Sequence, residues 1–156
     1  MIYTVTLNPA LDYILSADEI AYGRVNRAKE AAVTFGGKGI NQSVMLRNLG
    51  VESVALGFAG GYTGLKLRQL LGSEGIFHRL TEISGETRIN LKLRAQQETE
   101  INAAGPVIRP LELMELTEQI GELLMTVTHL SRHAKVDAEE ALSHHTDRII
   151  DKIAEN

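Results

Sequence analysis

The stretch Phe35-Gly36-Gly37-Lys38-Gly39-Ile40-Asn41 does most to narrow what this chain can become, because it closes a strand-like run and opens a helical one. Three glycines in four positions admit positive φ and leave no β-carbon between the backbone amides and a neighbour. Amides at the start of a helix suit an anion, and Lys38 adds a mobile cation. The loop is not a Walker A sequence, since Gly39 follows the lysine and the preceding glycine spacing differs. Taken alone, it fits ligand binding and tight packing equally.

The flanking residues read as alternating strands and helices. Ile2-Tyr3-Thr4-Val5-Thr6-Leu7 is rich in β-branched residues and stops at Asn8-Pro9. Asp12 follows, ahead of an extended Tyr13-Ile14-Leu15, and a carboxylate there is either a turn-forming Asx or a ligand group. Ile40, Val44, Leu46 and Leu49 predict a helix ended by Gly50. A strand over 53–58, a turn at Gly60-Gly61 and a second helix with Leu65, Leu67, Leu70 and Leu71 come next. This rhythm implies a parallel sheet covered by helices.

Beyond Gly75 the period changes. Residues 76–83 predict a strand, 88–94 alternate polar with apolar, and 99–102 can return antiparallel. Arg88, Asn90, Lys92 and Arg94 therefore share a face, which reads first as a solvated strand face and otherwise as a grip for phosphate. From Pro110 the pattern turns wholly helical. Leu113, Leu116, Ile120, Leu123, Leu124 and Val127 form a broad stripe, and Asp137-Ala138-Glu139-Glu140 is a capping box for a last helix carrying Ile149, Ile150 and Ile153. His129, His133, His144 and His145 lack acidic or cysteine partners at useful spacing, so they read as a polar helix face.

Composition excludes more than it identifies. With 44% apolar and 23% charged residues, the 156-residue chain is expected to be one domain, or a domain with an appendage. A net charge of -4 argues against nucleic acid as the main partner. No cysteine means no disulfide, thiolate nucleophile or sulfur metal ligand. Neither a basic secretory leader nor an apolar run near the ~20 residues of a membrane span is present, so no membrane partner and a cytoplasmic location are expected.

Asn8-Pro9-Ala10-Leu11-Asp12, Gly36-Gly37-Lys38-Gly39-Ile40-Asn41, Gly57-Phe58-Ala59-Gly60-Gly61-Tyr62-Thr63-Gly64 and Thr87-Arg88-Ile89-Asn90-Leu91-Lys92, in this order, resemble the N-terminal half of PfkB-type sugar kinases. Within that ribokinase-like group the likeness is to 1-phosphofructokinase and tagatose-6-phosphate kinase, over about residues 1–110. The resemblance implies an α/β fold: an incomplete ribokinase-like parallel sheet with helices on both faces, a small β lid from residues 18–33 and 88–102, and a C-terminal α-hairpin. It further implies that Asp12, Gly37 and Asn41 meet sugar hydroxyls, while Lys38, Arg88 and, less directly, Lys92 hold the phosphate of fructose 1-phosphate, tagatose 6-phosphate or a similar substrate. Gln42 and Gln96-Gln97 depart from the family pattern without touching these positions.

The resemblance also implies ATP and Mg2+, but the Gly-x-Gly-Asp turn whose aspartate acts as base in these kinases does not occur in the 156 residues. Neither a catalytic base nor sites for ATP and metal are therefore expected in this chain. Residues 118–142 resemble the last two helices of MazG-type nucleotide pyrophosphohydrolases, with Gln119-Ile120-Gly121-Glu122 in place of a Glu-x-x-Asp metal motif. The expected division is a partial kinase domain at 1–108 and a helical tail at 109–156, joined near 108–118. The expected function is that of a phosphosugar kinase left inactive by truncation. The alternatives are a non-catalytic sugar-phosphate-binding or oligomerising module, pairing through lid or tail, and a remnant pyrophosphohydrolase.

Overall fold

The computed structural model describes residues 2–154, with side-chain surroundings described through Asp147 except at His145. Two compact units emerge, Met1–Leu113 and Met114–Asn156. The first holds two sheets. Strands β1 (Ile2–Thr6), β4 (Ser53–Gly60) and β5 (Phe77–Ile83) form a parallel sheet in the order β1-β4-β5. Strands β2 (Ala10–Ser16), β3 (Glu30–Gly36), β6 (Arg88–Arg94) and β7 (Glu98–Asn102) form a second sheet in the order β3-β2-β6-β7.

Helices α1 (Lys38–Asn48) and α2 (Gly61–Ser73) follow the two glycine turns, as the strand–helix rhythm requires. Ile40 of α1 and Leu67 and Leu71 of α2 meet Ala55 and Ala59 of β4 and Leu11 of β2 in one buried cluster. Alanines on β4 let the helices sit close to the sheet. Tyr13, Val33 and Phe35 pack on the same cluster, which ties the second sheet to the first. Edge strand β1 leaves Ile2, Tyr3 and Val5 more than 40% exposed.

The second sheet corrects the expected lid boundaries. One of its two inner strands is β2, beginning at Ala10, whereas residues 17–29 form a connection and not strands. The reason is local closure: Asn26 donates to Ala21 O and accepts from Ala21 N, and Lys29 pairs with Asp18 at 2.6 Å. Asp12 consequently lies inside a strand, opposite Thr34 on β3 and Asn90 on β6, and not in an Asx turn.

In the second unit, α3 (Pro110–Ala134), whose first residues belong to the first unit, is followed by α4 (Ala138–Ala154). Lys135 takes φ 55° at the break, and Asp137 Oδ1 accepts the amides of Glu139 and Glu140, so the predicted cap is formed. His129, His133 and His144 are exposed, as are Leu124, Val127 and Leu130 of α3, while His145 and the stripe at Ile149, Ile150 and Ile153 lie outside the described side chains. No described helix is long and apolar enough to cross a membrane.

Candidate sugar-phosphate site

Where the two sheets meet, a cavity of about 480 Å³ is walled by the end of β1, the glycine loop, the start of α1 and the inner face of β2, β6 and β7. Asp12, Gly37, Lys38, Asn41, Arg88 and Lys92 all line it. Residues far apart in the chain converge because β2 and β6 run parallel in register, Ala10 opposite Arg88 and Ile14 opposite Lys92.

Glycine is required at two of these positions by contact. Gly37 has φ 133°, a conformation that side chains other than glycine rarely adopt, and it caps α1 without any side-chain hydrogen bond. Thr6 Oγ1 accepts the Ile40 amide at 3.0 Å, which pins the first turn of α1 to β1. A β-carbon on Gly36 would lie 2.7 Å from Asp12 Oδ1, so the glycine makes room for that carboxylate. The N-terminus of α1 thus opens onto the cavity, with Lys38 exposed beside it. By contrast, the N-terminus of α2 is filled by the protein's own Glu86, which accepts from Tyr62 N, Thr63 N and Thr63 Oγ1. The Thr63 hydroxyl and amide bonds hold the Glu86 carboxyl below its ordinary pKa.

Asp12 is 5% exposed and is held by two partners. Lys92 Nζ lies 3.0 Å from its Oδ2, and Asn90 Nδ2 donates to its Oδ1 at 3.1 Å. Lys92 also reaches Glu100 at 3.5 Å. The hydrogen bond to Asp12 is the main cause that raises the Lys92 pKa, opposed in part by burial and helped by the charges of Asp12 and Glu100. Arg88 is placed by Thr87, whose Oγ1 accepts the Gly60 amide at 3.1 Å and whose carbonyl lies 2.7 Å from Thr63 Oγ1, an alternative acceptor to Glu86 for that hydroxyl's one proton. Arg88 itself gives Nη1 to Ala103 O at 3.5 Å and leaves Nε buried without a hydrogen-bond partner.

The polar row on β6 is therefore not a solvated face: Asn90 is 8% exposed and Lys92 is paired, so only Arg94 at its end stands out in water. The alternation holds, and of its two readings the solvated face is overturned, since the polar side faces the cavity. Sequence reasoning missed Asn102 and Glu100 as cavity residues, and it put Asn90 on the face of Arg88 and Lys92 without giving it a role of its own. The signal for Asn90 was its place two residues from both Arg88 and Lys92 on a strand, hence on their face.

This chain matches the family model described as pfkB family carbohydrate kinase over residues 5–148. The chain belongs to the pfkB family of carbohydrate kinases. The pfkB match runs past residue 110, where the sequence likeness was expected to end, and into α4. Among its relatives, the 1-phosphofructokinase of Bacillus subtilis is 44% identical over 123 residues, which are 79% of this chain and 41% of that one. The D-tagatose-1-phosphate kinase of Bacillus licheniformis is 38% identical over 123 residues, again 79% of this chain and 40% of the other. The structure of phosphofructokinase-2 from Escherichia coli in complex with fructose-6-phosphate superposes with a TM-score of 0.74 at 31% identity, covering 78% of this chain and 41% of that one. The fold is thus the mixed α/β arrangement of ribokinase-like kinases, and the chain spans about two fifths of the length of these relatives.

Proposed function

We propose that this chain supplies the sugar-phosphate side of a hexose-phosphate kinase of the 1-phosphofructokinase or tagatose-6-phosphate kinase type. The observation that carries the reading is the convergence of Asp12, Gly37, Lys38, Asn41, Arg88 and Lys92 on one cavity. Asp12 and Asn41 offer acceptors for sugar hydroxyls, and Gly37 an amide. Lys38, at the start of α1, and Arg88, on the β6 wall of the same cavity, offer the positive charge a phosphomonoester needs, with Lys92 bridging to Asp12.

Such a kinase would use ATP and Mg2+ as a whole enzyme. Among the described residues no group of three or more His, Cys, Asp or Glu could hold a metal, and both cavity carboxylates, Asp12 and Glu100, are engaged by Lys92. No transfer step is assigned to the residues present. With no Gly-x-Gly-Asp base in its 156 residues, the chain by itself binds the acceptor sugar without phosphorylating it.

Titration calorimetry with fructose 1-phosphate and fructose 6-phosphate tests the reading. Binding that weakens about tenfold or more in Arg88→Ala supports it, and no binding of either ester sinks it. ATP-dependent turnover by the chain alone would refute the inactive half of the proposal. For the tail, the structure gives a capped α-hairpin, and its reading as a MazG-like remnant rests on the sequence resemblance of residues 118–142 alone, against a pfkB match that runs to residue 148. Magnesium-dependent pyrophosphate release abolished by Glu122→Ala would make it a hydrolase remnant. A dimer in solution would make the chain an oligomerising module.

A further inference from the structure

We propose that Asn90 is a further substrate-contacting residue: its side-chain carbonyl oxygen accepts a hydrogen bond from a sugar hydroxyl adjacent to the one received by Asp12. The inference rests on the sugar-phosphate reading of the cavity and assigns it a recognition element for a vicinal diol.

The argument begins with chemistry that orients the amide. An ionised carboxylate only accepts hydrogen bonds, so the Asn90 group within 3.1 Å of Asp12 Oδ1 must be the NH2. The opposite orientation would set a carbonyl oxygen against a carboxylate oxygen. Lys92 occupies the other Asp12 oxygen at 3.0 Å, which leaves Asn90 to satisfy this one. The consequence is that Asn90 Oδ1 is turned away from Asp12 and has no hydrogen-bond partner, although the residue is 8% exposed. A buried acceptor without a donor is costly and uncommon in a folded protein, and it calls for a group that fills it.

The cavity says what kind of group that is. Asn90 lines it together with Asp12 and with Asn102, its register partner on β7. A phosphate dianion has no hydrogen to give and would be repelled by a carbonyl oxygen. A hydroxyl gives one. Asp12 and Asn90 are directly opposite on neighbouring strands, about 4.8 Å apart at the backbone, and already joined side chain to side chain. Two linked acceptors at that spacing match two neighbouring hydroxyls of one ring, each donating to one residue. Lys38 and Arg88, also lining the cavity, remain for the phosphate. Asn90 therefore discriminates between sugars by their hydroxyl pattern, while contributing nothing to the grip on the ester.

The test compares fructose 1-phosphate, its monodeoxy analogues and methyl phosphate, which has the ester but no diol, on the wild-type chain and on Asn90→Leu, a near-isostere that loses the acceptor together with the amide donated to Asp12. The expected result is about a three- to tenfold loss of affinity for fructose 1-phosphate in the variant, with methyl phosphate binding unchanged. Equal affinity of both proteins for fructose 1-phosphate overturns the inference alone. So does a matching loss for methyl phosphate, which would mark a general distortion of the cavity. Wild type that binds neither ester overturns the sugar-phosphate reading and this inference with it. Whether or not Asn90→Leu folds, the wild type decides by the monodeoxy series of fructose 1-phosphate. Two adjacent hydroxyls whose separate removal weakens binding support the diol contact, and no adjacent pair of sensitive hydroxyls overturns it.

Discussion

Replacing Lys92 with Met removes an ammonium and keeps most of its stem, so the change isolates the charge that Asp12 depends on. The pair stands at 3.0 Å, with the Asp12 side chain 8% and the Lys92 side chain 27% exposed. At that distance two unit charges interact by about 5.5 kcal/mol at an effective dielectric near ~20, and by about 1.4 kcal/mol in bulk water. Partial exposure of the lysine places the pair between those limits, and the cost of desolvating it is recovered when it is removed. Asp12, however, stays buried with only the Asn90 amide for support. The net loss should be about 2–3 kcal/mol, below the roughly 3–5 kcal/mol of a fully buried pair. Urea unfolding followed by circular dichroism reads this as a midpoint lower by about 1–2 M at unchanged slope. Asp12→Asn in the Lys92→Met background should restore at least half of the loss, because it removes the stranded charge. A Lys92→Met protein within about 0.5 kcal/mol of wild type, or two substitutions whose losses simply add, would refute the reasoning. The sign with pH follows from the raised Lys92 pKa. The stabilisation is fully present below the ordinary lysine pKa and disappears as pH rises through the folded value, so wild type and variant should converge at strongly alkaline pH.

Two other predictions concern the supports of the site. Gly36→Ala would put a β-carbon 2.7 Å from Asp12 Oδ1, so the strand or the carboxylate must move. About 1–3 kcal/mol of stability should be lost, along with fructose 1-phosphate binding in calorimetry, and unaltered binding would show that Asp12 is not positioned by this contact. Glu86→Gln should destabilise the chain at neutral pH by weakening the cap on α2. Because the folded pKa of Glu86 is lowered, its contribution exists above the ordinary carboxylate pKa and is lost as pH falls through the folded value. Thermal midpoints of the two proteins should therefore merge in acid, and a constant gap across pH would exclude the charge as the cause.

Much of this protein was readable from short stretches of its chain. The glycine loop announced the strand-to-helix turn at α1, Gly60-Gly61 announced the one at α2, and Asp137 announced α4, since turns, caps and hydrophobic period depend on residues within a few positions of one another. Ordered motifs carried the family and six residues that share the cavity. Tertiary structure alone decided which face of β6 is wet and that Asp12 lies within a strand. Both depend on the pairing of β2 with β6, where Asp12 and Asn90 meet across 78 positions of chain. Strand alternation assigns residues to one of two faces but does not say which face meets water. Only the docking of the second sheet against Ile40, Leu67 and Leu71 resolves that choice, by turning Asn90 and Lys92 inward upon a buried carboxylate.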